Sequence, residues 1–236
     1  MNFVKRILLL SLIVLGGNQV VNAHAVWLES NTTGIKNQSQ SVRVYYGEYE
    51  TGENEATKDW YSDLRELTVS IVHPDGSVST LPLTDKGDFL EGAFVPTSDG
   101  HYAIFTSHAT KDLGGDTRYE FVSQATVQVG NVAVAGKCPL VYQLQVAPKT
   151  YKQNDTVRIQ LTENGAPLSK KDVSVMSPSG WSKTYKSDAE GFISIPTLWS
   201  GRYVVEFGNM MQQEGDWHGK TYKKNWQGLT TSFIVQ

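Results

Sequence analysis

Ala125-Thr126-Val127-Gln128-Val129 and Val157-Arg158-Ile159-Gln160-Leu161 each place an apolar side chain at every second position. A period of two is the signature of a strand with one buried face, because successive side chains point to opposite sides of the pleat. The same alternation runs outward through Ser41-Val42-Arg43-Val44-Tyr45 and Leu67-Thr68-Val69-Ser70-Ile71. Turn chemistry separates these runs: Pro74-Asp75-Gly76, Asp99-Gly100, Asn164-Gly165 and Pro178-Ser179-Gly180 supply residues that tolerate tight turns. Short strands at this spacing predict β-sandwiches. Only Lys58 to Glu66 reads as a short helix.

Small residues between Gly130 and Lys137 interrupt the pattern, and Pro139 opens a second alternating stretch. The expectation is an all-β chain of two tandem immunoglobulin-like β-sandwich domains behind a cleaved signal peptide. The segments are 1–23 for the signal peptide, 24–134 for an N-terminal metal-binding sandwich and 135–236 for a C-terminal sandwich. Both halves carry a Gly-x-Tyr strand, Gly100-His101-Tyr102 and Gly201-Arg202-Tyr203, whose tyrosines should point into the cores.

The leader has a basic start at Lys5 and Arg6 and an apolar run from Ile7 to Gly17 broken only by Ser11. That run is shorter than the roughly 20 residues a membrane-spanning helix needs. Val21 and Ala23 suit a signal peptidase, so export to the periplasm is expected, with His24 as the first mature residue. An N-terminal histidine chelates a metal through its amine and its ring together. Hydrophobic content of 39% and charged content of 19% support a folded core. A net charge of −3 without a basic run after the leader excludes nucleic acid as a partner. The lone Cys138 allows no internal disulfide and reads as a packed structural thiol.

The remaining histidines divide by parity and context. His73 precedes a turn, His101 has the parity opposite to Tyr102, and His218 lies in a polar loop. His108 shares the inward parity of Tyr102 and Ile104 and sits where that strand should end. No His-x-x-x-His or Cys-x-x-Cys pair is present, so a metal site has to be assembled from distant strands. The candidate ligands are His24 and His108, with Glu29 or Glu48 helping; such a set suits copper(II) and accommodates nickel(II). No Gly-x-Ser-x-Gly elbow is present, and the chain reads as a binding protein, not an enzyme. A competing reading rests on six tryptophans: Trp181 and Trp217, in polar loops, are the candidates for exposed stacking surfaces of a carbohydrate- or protein-binding module.

In the second half, Asn164-Gly165-Ala166-Pro167-Leu168, Ser187-Asp188-Ala189-Glu190-Gly191 and Gly201-Arg202-Tyr203 follow one another. This order resembles the transthyretin-like, carboxypeptidase-regulatory type of sandwich, which implies a scaffold or docking module. The whole mature chain is similar to a bacterial domain-of-unknown-function family described as periplasmic components of cobalt or nickel uptake. The likeness starts at His24-Ala25-Val26-Trp27-Leu28-Glu29 and ends at His218-Gly219-Lys220-Thr221-Tyr222 and Thr231-Ser232-Phe233-Ile234-Val235. It implies handling of nickel or cobalt and a partner transporter in the inner or outer membrane. Relatives often carry a Gly-His pair where this chain has Gly47-Glu48-Tyr49, and the carboxylate there favours harder ions.

Overall fold

The computed structural model describes residues 24–236; the expected leader, 1–23, lies outside them. Seven strands of four or more residues build the first half: β1 (Ala25–Ser30), β2 (Gln40–Glu48), β3 (Val69–Val72), β4 (Val78–Leu81), β5 (Leu90–Phe94), β6 (Gly100–Ala109) and β7 (Thr117–Val129). Seven more follow: β8 (Tyr142–Val146), β9 (Thr156–Glu163), β10 (Asp172–Met176), β11 (Ser182–Lys186), β12 (Phe192–Pro196), β13 (Gly201–Trp217) and β14 (Lys220–Val235). The fold is all-β and sandwich-like, as the alternation predicts. Where a short helix is expected, two 3-10 turns form instead, Thr57–Asp59 and Leu64–Glu66. Trp60 and Ser62 fall between them, and Ser62 has a positive φ, which a continuous helix does not accommodate.

One sheet runs through both halves, in the order β11-β10-β13-β14-β7-β6-β3-β4. Two smaller sheets cover it, β1-β2-β5 over the first half and β8-β9-β12 over the second. Val26, Leu28, Val42 and Val44 from one layer meet Ile71, Tyr102, Ile104 and Val127 from the other to form the first core. Leu144, Ile159 and Ile195 meet Val175, Tyr203 and Phe233 in the second. Both tyrosines of the Gly-x-Tyr strands are fully buried.

The halves are joined at the centre of the long sheet. β14 pairs antiparallel with β13 along its length, and its middle part also pairs parallel with β7, from Thr117↔Lys224 to Gln124↔Thr231. Thus the last strand of the chain completes the sheet of the first half. A third, small core of Trp27, Met176 and Val204 seals the seam.

The free edge of β1 crosses over this junction, where exposed backbone groups would be costly if left unpaired. Hydroxyl side chains satisfy them. The Leu28 N–H donates to Ser123 Oγ at 3.0 Å, Thr230 Oγ1 donates to the Val26 carbonyl at 2.7 Å, and Ser232 Oγ donates to the Leu28 carbonyl at 3.0 Å. Arg202 reaches both Ser232 Oγ and the Ser30 carbonyl. These bonds fix β1 on the junction, with the Thr230–Val26 bond nearest to His24.

Candidate functional site

His24 immediately precedes β1 and continues the parity of the buried Val26 and Leu28, so its ring turns toward the first sandwich while about a third of it stays exposed. Its Nε2 lies 3.1 Å from Glu55 Oε1, and its ring centroid lies 5.3 Å from that of Tyr46. Glu55 is held there by its backbone: its N–H donates to the Tyr46 carbonyl at 2.9 Å, and Trp60 Nε1 donates to its own carbonyl at 3.0 Å. Gly47 makes this close approach possible. It has a φ of 150°, and a Cβ there would stand 2.2 Å from the Glu53 carbonyl oxygen.

Glu48 ends β2 two residues beyond Tyr46. Burial pushes its carboxyl up; the neighbouring His24 pulls it back down, and Glu50 and Glu53 push it up further. Across the seam, Glu206 of β13 is pushed up to about 7, first by burial and then by the charge of Glu48. His24, Glu48 and Glu55 therefore share one locality, with Glu206 bearing on it from the second half.

The other two predicted ligands are engaged elsewhere. His108 has the inward parity expected of it, and its Nε2 stands 3.1 Å from Asp63 Oδ1, a close contact in which the ring N–H is not aligned as a hydrogen bond. Burial alone would raise the Asp63 carboxyl. The Lys111 backbone N–H, at 2.9 Å, and the contact with His108 outweigh it and hold the group below the usual carboxylate range. Glu29 has the parity opposite to His24. It accepts from Trp27 Nε1 at 3.1 Å and pairs with Arg202 Nε at 3.3 Å. Among the described residues no group of three His, Cys, Asp or Glu side chains converges as a ready metal site.

The remaining candidates are structural. His73 Nε2 contacts Ser79 Oγ at 2.7 Å beside its turn, and His218 is exposed at the tip of the β13–β14 hairpin with a φ of 48°. The Cys138 thiol is pushed up by burial, which keeps it in the unreactive form. Trp217 departs from the expected exposed platform. Its Nε1 donates to the Thr110 carbonyl at 2.8 Å, and the Arg118 guanidinium lies 4.3 Å from its ring centroid, so the ring pins the hairpin tip to the first half. Trp181 packs on Trp199 with centroids 5.6 Å apart.

Glu55 and Glu206 were not among the expected site residues. Glu55 lies in the acidic run Glu53-Asn54-Glu55, a visible signal, but its placement depends on a backbone bond to Tyr46 that no pattern announces. Glu206 shares the strand parity of the buried Val204, a position that reads as core.

Among the described residues no helix is long and apolar enough to cross a membrane. No curated protein matches the chain. Among solved structures, the fibronectin(III)-like modules of Clostridium thermocellum CbhA are 12% identical, with 89% of this chain and 94% of theirs covered at a TM-score of 0.25. A Corynebacterium diphtheriae protein described as membrane anchored is 10% identical, with 89% and 59% covered at a TM-score of 0.30. Neither likeness bears on the site. The family is decided by the sequence itself: residues 21–210 match the model of the domain of unknown function DUF4198, and the chain belongs to that family.

Proposed function

We propose that this is a periplasmic, non-enzymatic protein that binds a divalent transition metal and assists its uptake or delivery to a membrane transporter. The reading rests on one observation: the His24 ring, set at the start of the mature chain, sits beside the Glu55 carboxylate at 3.1 Å. An imidazole beside a carboxylate, with Glu48 in the same locality, offers nitrogen and oxygen donors of the kind that suit nickel(II), cobalt(II) or copper(II). Side chains alone do not complete a donor set. Cleavage after Ala23 supplies the missing donor, because the freed α-amine and the His24 ring belong to one residue and form a chelate. The carboxylates make the set harder than an all-histidine one, which favours nickel or cobalt over copper(I). In this reading the second half is the docking scaffold, as its transthyretin-like pattern implies.

The test is a calorimetric titration of metal-free protein beginning at His24 with nickel, cobalt and copper(II). A form carrying one extra residue before His24 is the comparison. The expected result is a loss of about 100-fold or more in affinity on adding the residue, and a smaller loss for Glu55→Gln. Equal affinity in all three proteins overturns the proposal.

A further inference from the structure

The long sheet ends on one side at β4, which pairs with β3 and has no strand beyond it among the described residues. An open edge of this kind is a template for another strand, and folded chains blunt theirs with charges, prolines, covering groups or brevity. The other sheet edges carry such devices. At the opposite end of the long sheet, β11 presents Lys183 and Lys186. β1 is capped by the hydroxyls of Ser123, Thr230 and Ser232. The far edge of its sheet is the two-residue strand Thr84–Asp85, followed by Lys86. In the second half, β8 gives its Leu144 carbonyl to Gln124, and β12 ends at Pro196. β4 has none of these. Val78, Ser79 and Thr80 are uncharged and exposed, and Val78, at 61%, is among the most exposed apolar side chains of the protein.

Strand geometry fixes which groups of β4 are free. The His73 N–H donates to the Ser77 carbonyl at 2.8 Å, so the backbone of Ser77 faces β3. The direction of bonding alternates along an antiparallel strand, so Ser79 and Leu81 face β3 as well. The N–H and C=O of Val78 and Thr80 therefore point away from the sheet. The Leu81 side chain is buried in the first core, which leaves the side chains of Val78 and Thr80 together on the outer face.

Two such edges fit one another in one register. Antiparallel pairing about a two-fold axis through Ser79 sets Val78 of each copy opposite Thr80 of the other, and it uses every free group in about four backbone hydrogen bonds. With the axis at Val78, Thr80 would meet Gly76, which lies in the turn with a φ of 86°. With the axis at Thr80, Val78 would meet Pro82, which has no N–H. The Ser79 register also stacks β-branched Val78 on Thr80 twice and opposes no like charges. We infer that β4 is a self-association edge, along which two copies of this chain join antiparallel so that the long sheet runs through both. The inference is independent of metal binding at His24.

The contact is small, so association should be concentration-dependent, with a dissociation constant on the order of 0.1–1 mM. The experiment is sedimentation equilibrium on the chain beginning at His24, freed of metal, from about 10 µM to about 1 mM. The weight-average mass should rise toward that of a dimer. Thr80→Pro removes an outward N–H, and Val78→Lys sets a charge on the edge; both positions are exposed, and circular dichroism reports that each variant folds. Each should weaken association by about tenfold or more. In a Cys138→Ala background, Ser79→Cys lies on the axis, where facing Cα atoms stand about 4.5 Å apart, and mild oxidation should link two copies. Thr184→Cys, on the opposite edge of the sheet, should give no such link. A mass that stays monomeric at the highest concentration overturns the inference. So does a dimer unaffected by both Thr80→Pro and Val78→Lys, or one that cross-links equally through Thr184→Cys.

Discussion

His24 and His108 stand at the same end of the first sandwich, both with inward parity, yet they are placed for different work. Thr110 N–H bonds to the Tyr119 carbonyl, which carries the β6–β7 register to the strand end and sets His108 opposite Phe121. Phe121 packs against Tyr46 at 5.8 Å, and Tyr46 packs against His24 at 5.3 Å. The two imidazoles thus flank one layer of aromatic rings. His108 is 17% exposed and lies against Asp63, whose Oδ1 accepts from the Lys111 backbone N–H; it closes a loop. His24 is 33% exposed and sits where carboxylates gather without cations to neutralise them. Parity therefore identifies which residues turn inward. Availability is decided by whether a neighbouring loop has already supplied a partner.

The sharpest way to break this contrast is to remove each ring. His24→Ala should lower nickel affinity by about 100-fold or more, whereas His108→Ala should leave it within about threefold, read by calorimetry on protein matured to His24. A similar loss in both variants would mean that the two rings serve one site. Next in size is the pH response at the His24 end. A carboxyl raised from 4.5 to about 7 keeps its proton in the folded chain where the unfolded chain has released it. Stability should then be greatest at low pH within this window and fall as pH climbs from about 4.5 to about 7. Glu206→Gln removes that slope, so its melting temperature should exceed that of the parent most at about pH 8 and least at about pH 4.5. A constant difference across the range would remove Glu206 from this account.

The His108 end should respond with the opposite sign. Asp63 is held below its usual range, so its contribution is present at neutral pH and disappears as pH falls through its folded value. Asp63→Asn should cost about 1–2 kcal/mol at pH 7 in denaturant unfolding, and the difference should vanish in acid. The smallest expected effect is at the hairpin tip, which leans on the same end through Thr110. Trp217→Ala should cost about 1 kcal/mol and speed amide exchange in the outer part of β13 and β14, with the inner part unchanged. Uniform acceleration along both strands would show that the tip is not a separate clamp.

The all-β architecture was legible because alternation and turn residues are local properties. Val127, Val129, Ile159 and Leu161 are buried where their parity places them. The pairing of β7 with β14 was not legible, because period two specifies a face and not a neighbour. A faint signal exists: residues 121 to 125, Phe-Val-Ser-Gln-Ala, are buried at every position, both faces being covered. Ser123 and Gln124 lie on opposite faces of β7, and their polar side chains bind β1 and β8. The candidate site was half legible. His24 and Glu48 were named from the residues and the resemblance, whereas Glu55 and Glu206 reach that locality through a backbone bond and a seam between halves. Neither leaves a trace in spacing.

The parallel rung between Thr117 and Lys224 joins positions 107 apart in the chain, and it carries a consequence for biogenesis. The first sandwich borrows the strand Lys220–Val235, so a nascent polypeptide lacking that segment holds a sheet with an open side. Closing the first sandwich must wait for that strand, since closing so long a loop precedes any reward from the contact. A chain built this way keeps its first sandwich open until residues 224–231 are made.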